Sequence, residues 1–141
     1  MSLKYPKPSF IPVTQSEYQK WLSRKSKSIF SRSLKKDNAK MKLEDIKKEV
    51  HEAVRKSQGV DFYTGEKLDW HLIGKYDGKK AKEGGLEYHR KFALLPTVDH
   101  YEDRRSPKFA VAGWVVNDAK NYLSHAEFIE LCRKVLRHYD K

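Results

Sequence analysis

Only one cysteine, Cys132, occurs in 141 residues, which excludes an internal disulfide and any zinc knuckle built on paired cysteines. A lone thiol fits a reducing compartment, so a cytoplasmic protein is expected. Long hydrophobic runs are missing as well. No segment approaches the about 18 consecutive apolar residues of a membrane-spanning helix, and no signal peptide is recognisable, so no membrane partner is expected. Repeats and low-complexity segments are absent. Acidic residues are scarce in one place: Lys20, Arg24, Lys25, Lys27, Arg32, Lys35 and Lys36 follow one another with almost no acidic partner. Such a block repels itself and is costly to hold together without a polyanion nearby.

What the chain does have is charge. Charged residues make up 35% of it and the formal net charge is +11, so any core is small relative to the surface. A balance this basic favours nucleic acid, because binding a phosphate backbone releases condensed counterions. The length allows one domain with a real core and a helical appendage.

Local signals divide the chain. Pro6, Pro8 and Pro12 mark an extended arm over residues 1–13. Thr14-Gln15-Ser16-Glu17 is a capping box that opens a helix with Tyr18, Trp21, Leu22 and Phe30 on its apolar face and Lys20, Arg24, Lys25 and Lys27 on the other. A break near Ser33 to Asn38 leads to a second helix, in which Leu43, Ile46, Val50 and Val54 recur at helical spacing and Gly59 provides the stop. Residues 1–58 thus form a basic helical region. From Val60 the text turns to β and turn composition, with Tyr63-Thr64-Gly65-Glu66 as a tight turn and Phe62, Leu68 and Trp70 as packing residues. Gly74 to Gly85 reads as an exposed, flexible, lysine-rich loop, and Leu86 to Leu95 leads into a strand. Ser124-His125-Ala126-Glu127 is a second capping box; its helix carries Phe128, Leu131, Cys132, Val135 and Leu136 on one stripe, expected to be buried.

The most informative stretch is Leu94 to Lys120. It reads as a strand ending in Asp99-His100, a basic connection with Arg104 and Arg105, a second run from Phe109 to Val116, and a helix capped by Asn117 and beginning at Asp118. Val98-Asp99-His100, followed by Asn117-Asp118-Ala119-Lys120 as an N-x-x-K element, resembles the ββα-metal finger of the HNH nuclease family. Phe62-Tyr63-Thr64-Gly65-Glu66-Lys67-Leu68 is similar to the Y-T-G knuckle that precedes the finger in that family. The resemblance covers roughly the C-terminal three-fifths of the chain. It implies an α+β fold in which an HNH-like domain over residues 59–141 centres on the finger and is flanked by N-terminal and C-terminal helices. Many HNH relatives hold this region with CxxC pairs around zinc; here Asp61-Phe62 stands at the first such position, which suggests apolar packing instead of metal.

By the same resemblance the chain is expected to be a metal-dependent endonuclease of a bacterium or a phage, leaving 5′-phosphate and 3′-hydroxyl ends. Phosphodiester hydrolysis needs an activated water, a cation against the developing charge and help for the leaving oxygen. His100 is the expected general base, because imidazole titrates near neutral pH. Asp99 and Asn117 are the expected metal ligands, and two protein oxygens suit Mg²⁺, with Mn²⁺ as a substitute. Arg104, Arg105 and Lys120, with Lys20, Arg24 and Lys27, are expected at phosphates. His125 lies eight residues after Asn117, where some HNH members place a metal-binding histidine, but its place in a capping box favours the helix surface. DNA is the expected partner, with RNA not separated from it. A homodimer is also among the expectations, since one finger per chain cuts both strands only with two chains or two encounters. The alternatives are a non-catalytic binding module on the same scaffold and an RNA-cleaving toxin-like nuclease.

Overall fold

Thr14 opens the first helix as its sequence requires: its hydroxyl accepts from Glu17 N at 3.1 Å, and the Glu17 carboxylate accepts from Thr14 N at 3.3 Å. The computed structural model describes residues 4–37, 41–101 and 108–140, with the side chains of 33–37 outside that description. Among these residues the chain is α+β, with five α-helices and one two-stranded antiparallel sheet. The first helix, α1 (Gln15–Asp37), runs past the break expected near Ser33. Tyr18, Trp21, Leu22 and Ile29 recur on its buried stripe, and α2 (Leu43–Ser57) answers with Ile46, Val50 and Val54. α2 ends at Gln58, which takes the left-handed conformation at φ 54°.

The proline-marked arm is irregular but pinned. Tyr5, Ile11 and Val13 are buried, and the Tyr5 hydroxyl donates to Glu44 at 2.7 Å. These residues, α1 and α2 share one apolar cluster with Leu68, Trp70, Ile73, Val98 and Val111. The two expected regions, 1–58 and 59–141, therefore have a common core. His51 lies in it, 2.7 Å from the Tyr18 hydroxyl, and burial pushes its imidazole below the ordinary histidine range.

The turn after α2 is closed by a bridge between Val60 and Lys67. Asp61 organises it. Its carboxylate is buried, and one oxygen accepts from Tyr63 N at 2.7 Å and Thr64 N at 3.0 Å. The other oxygen accepts from Gly113 N at 2.6 Å, across 52 residues of chain. A backbone bond from Phe62 N to Val111 O at 2.9 Å runs beside it. The position expected to rely on apolar packing is thus held by a carboxylate, while Phe62 is largely exposed.

The sheet pairs β1 (Pro96–His100) with β2 (Phe109–Gly113), Val98 opposite Val111 and His100 opposite Phe109. Strand alternation puts Val98, His100, Phe109 and Val111 on one face and Thr97, Asp99, Ala110 and Ala112 on the other. Val98 and Val111 turn the first face to the α1–α2 core.

Two expectations are corrected. The helix after β2, α4 (Trp114–Lys120), starts three residues before Asn117, so Asn117 is not its cap. The β-favouring Trp-Val-Val goes helical because its first free amides find tertiary acceptors: Trp114 N bonds Leu95 O at 2.9 Å and Val115 N bonds Ala93 O at 3.1 Å. Gly113 makes the approach possible, since a Cβ there would stand 2.9 Å from Ala93 O. Second, the expected loop from Gly74 to Gly85 is largely helical, as α3 (Gly78–Lys91) with a break at Gly85. Asp77 caps it, accepting from Lys79 N and Lys80 N, and Tyr88 and Phe92 dock it near Leu72 and Leu95.

Asp61→Ala should lower unfolding stability by about 3 kcal/mol, because loss of a charged acceptor orphans the buried Gly113 amide and two partly buried ones. Asp61→Asn should fall between it and wild type, keeping an oxygen for Tyr63 and Thr64 while opposing an NH₂ to Gly113 N–H. Urea midpoints measure both, and a loss below about 1 kcal/mol in the alanine variant would refute the assigned role.

Candidate functional site

The site is built on the Asp99 face of the hairpin. α4 crosses this face, and Lys120 reaches Asp99, Nζ to Oδ2, at 3.0 Å. Lys120, expected at a phosphate, is only 4% exposed and is a buried partner of Asp99. Asn117 sits one turn earlier at the i, i+3 spacing, which puts it on the same flank of α4. Its side chain is half-buried and its carbonyl accepts from Asn121 N at 3.0 Å.

Beyond β1 the chain places Tyr101 on the Asp99 side. The Tyr101 ring lies 5.0 Å from Phe62 and 4.8 Å from His125, between centroids. Tyr63 completes the group, 5.5 Å from His125 and 5.3 Å from Phe128. Burial, reinforced by the charge of Asp99, pushes the Tyr63 phenol up to about 12. This ring cluster contains two buried polar atoms that make no hydrogen bond among the described residues, Tyr63 Oη and His125 Nδ1. A buried polar atom without a partner is expensive, so two together mark a place where something polar belongs.

His125 arrives there through the second capping box. Ser124 N bonds Glu127 Oε1 at 2.9 Å and Glu127 N bonds Ser124 Oγ at 3.2 Å, which starts α5 (His125–Tyr139) directly over Tyr101. The residue expected on the helix surface is therefore half-buried at the site. The spacing from Asn117 was the sequence signal for it.

Not all expected residues converge. His100 lies on the opposite face from Asp99, with its ring 5.0 Å from Phe109. Asp99, Asn117, Lys120 and His125 are brought to one side; His100 stands across the strand from them, at its last residue. Arg104 and Arg105 lie outside the described residues. Among the described residues no cluster of three or more His, Cys, Asp or Glu could hold a metal ion. Asp99 and His125 both lie near Tyr63 but are only two of that set, and Asn117 on α4 is a further oxygen donor.

Lys20, Arg24 and Lys27 are exposed along α1, lining a shallow open groove with Ser16, Gln19 and Ser23. The Arg24 guanidinium lies beside the Gly74 turn, 3.5 Å from where a Cβ would be. Lys25 is half-buried beside them, and burial together with the charges of Arg24 and Arg32 holds its ammonium below the usual lysine range. Among the described residues none of these four cations makes a salt bridge. No described helix is long and apolar enough to cross a membrane.

The Asp99–Lys120 pair is lopsided, and that sets a test. The Asp99 side chain is 28% exposed and water can reach it, whereas Lys120 at 5% cannot be rehydrated. Asp99→Ala, which strands a buried ammonium, should cost about 3 kcal/mol or more of unfolding stability, and Lys120→Met clearly less. The double variant should regain part of the loss. Equal losses in the two single variants would count against this assignment.

No family model matches the chain, and no curated protein or solved structure matches it.

Proposed function

We propose that the protein is a metal-dependent endonuclease of the HNH type that hydrolyses phosphodiester bonds of DNA. The observation that carries this reading is the strand-strand-helix unit β1-β2-α4, with Asp99, Asn117 and the orphaned His125 on one side of it. Asp99, Asn117 and His125 would hold a divalent cation, Mg²⁺ for the oxygens or Mn²⁺ as the imidazole contributes, which supplies positive charge to the scissile phosphate and the leaving oxygen. Lys120 keeps Asp99 fixed against α4 and limits the net negative charge of the site. Tyr63 and Tyr101 wall off one side and offer hydroxyl donors. His100, at the last residue of β1, would take the proton of the attacking water. The basic face of α1 supplies sequence-independent phosphate contacts.

A second reading has its own support. Lys120 already occupies Asp99, and His100 packs against Phe109 on the far face. Both fit a non-catalytic nucleic-acid-binding module that keeps the finger as scaffold.

Incubation with supercoiled plasmid in Mg²⁺, Mn²⁺ or EDTA separates the two. The nuclease reading expects nicked or linear products with metal and none with EDTA. His100→Ala should then lower the cleavage rate by about 10² to 10⁴, the usual worth of a positioned general base, with DNA affinity nearly unchanged. His125→Ala should lose activity that added metal partly restores. Wild-type cleavage by both variants, or no cleavage by the native chain in either metal, would remove the proposed mechanism. An RNA substrate in parallel decides between the two nucleic acids.

Binding has a separate expectation. Neutralising Lys20, Arg24 and Lys27 to Gln should weaken DNA binding for every sequence and flatten the plot of log affinity against log salt by roughly 2 to 3 units. An unchanged slope would place the phosphate contacts elsewhere.

A further inference from the structure

The stripe of α5 was expected to be buried, yet Leu131, Val135 and Leu136 are exposed together with Cys132. Nothing around that stripe identifies an occupant. Tyr76 is a different case, because the surface beside its exposed ring carries mostly charge of one sign.

Tyr76 is 44% exposed although three rings hold it. Trp114 lies 5.1 Å away, Tyr88 5.9 Å and Phe92 6.2 Å between centroids, all at steep interplanar angles. Tyr88 and Phe92 stack on each other at 4.5 Å, and the Tyr88 hydroxyl accepts from Asp77 N at 2.9 Å, so the residue after Tyr76 is anchored as well. An exposed ring that its own chain already holds in place loses little freedom when something stacks on it.

The basic groove of α1 leads to this ring. Arg24 Nη2 stands 3.5 Å from the Cβ position of Gly74, so the turn before Tyr76 lies against α1. Hydrogen bonds from Thr14 hold the Glu17 carboxyl below its ordinary range, and Lys75 and Lys20 are both near enough to add to the effect. Tyr76 follows Gly74 by two residues, within about 7 Å along the backbone. Lys79 and Lys80 come next, in the first turn of α3. Lys20, Arg24, Lys27, Lys75, Lys79 and Lys80 are exposed, and among the described residues none of them makes a salt bridge. The two acids at this junction, Glu17 and Asp77, are engaged in helix caps. A row of cations that ends on an open ring suits a strand with unpaired bases, because the cations take its phosphates and the ring takes the face of a base. A duplex satisfies the cations but offers the ring no base face until a base leaves the stack.

We propose that Tyr76 is a nucleobase-stacking residue at the end of the α1 track, and that this surface takes single-stranded nucleic acid. The proposal rests on the reading of α1 as a phosphate track and adds to it the form of strand that the track receives.

Fluorescence anisotropy with one labelled oligonucleotide, as a single strand and as a duplex, tests it. Tyr76→Ala should weaken single-strand binding by about 5-fold to 150-fold, the usual worth of one base on one ring, and leave duplex binding nearly unchanged. Tyr76→Phe should bind like the native chain. The native chain should hold a strand of abasic sites as weakly as Tyr76→Ala holds the intact strand. Thermal melting accompanies each variant, since Tyr76 also packs on Trp114. Photocrosslinking of the native chain to a strand carrying 5-iodouracil, which should attach at Tyr76, gives the answer even if the alanine variant fails to fold. Four results would each remove the stacking role and leave the α1 track standing: unchanged single-strand affinity in Tyr76→Ala, equal losses for both forms in a variant that melts like the native chain, equal binding of intact and abasic strands, or crosslinks that avoid Tyr76. A native chain that binds neither form at low salt would remove the track and the stacking site together.

Discussion

One buried carboxylate holds the site half of the molecule together. Asp61 accepts from Tyr63 and Thr64 on one oxygen and from Gly113 on the other, so it ties the turn before α3 to the point where β2 becomes α4. Everything at the candidate site hangs on that junction. The turn positions Phe62 and Tyr63 under His125, and the start of α4 sets the rotation that brings Lys120 onto Asp99. An ion bound by paired cysteines would join two such segments through thiolates. Here a single acceptor does so through backbone amides, which keeps working in a chain with one cysteine.

Legibility followed the range of the interactions. The capping boxes at Thr14 and Ser124 could be read because their partners lie three residues away. The stripes of α1 and α2 could be read because periodicity records which side is buried. The start of α4 could not: Trp114 and Val115 are helical because Leu95 and Ala93 present carbonyls to their amides, and those acceptors lie about twenty residues upstream. α3 was hidden by Gly78, Gly84 and Gly85, although Asp77 was a cap in plain view. α5 misled for another reason. Amphipathicity says that a face wants cover, and leaves open whether its own chain provides it.

The molecule therefore carries two surfaces of different kind. α1 displays cations without acids in a shallow polar groove, the chemistry of a phosphate track. α5 displays an exposed apolar stripe, Leu131, Val135 and Leu136. The +11 net charge blurs this distinction when taken as a whole. Resolved by element, about half of it lies on α1, where seven Lys and Arg stand against Glu17 and Asp37.

The hairpin itself imposes the sharpest constraint on mechanism. Adjacent residues of a strand point to opposite faces, so Asp99 and His100 cannot both look at α4 while β1 keeps its register. Asp99 takes that side and is met by Lys120; His100 takes the other and is met by Phe109. On the Asp99 side α5 brings His125, whose Nδ1 makes no hydrogen bond among the described residues. The two histidines thus lie on opposite faces of the hairpin. Under the proposed nuclease reading, proton transfer and ligation would therefore fall to different residues on opposite faces. Joining the two tasks on either residue would require β1 to lose its last pairing, His100 with Phe109.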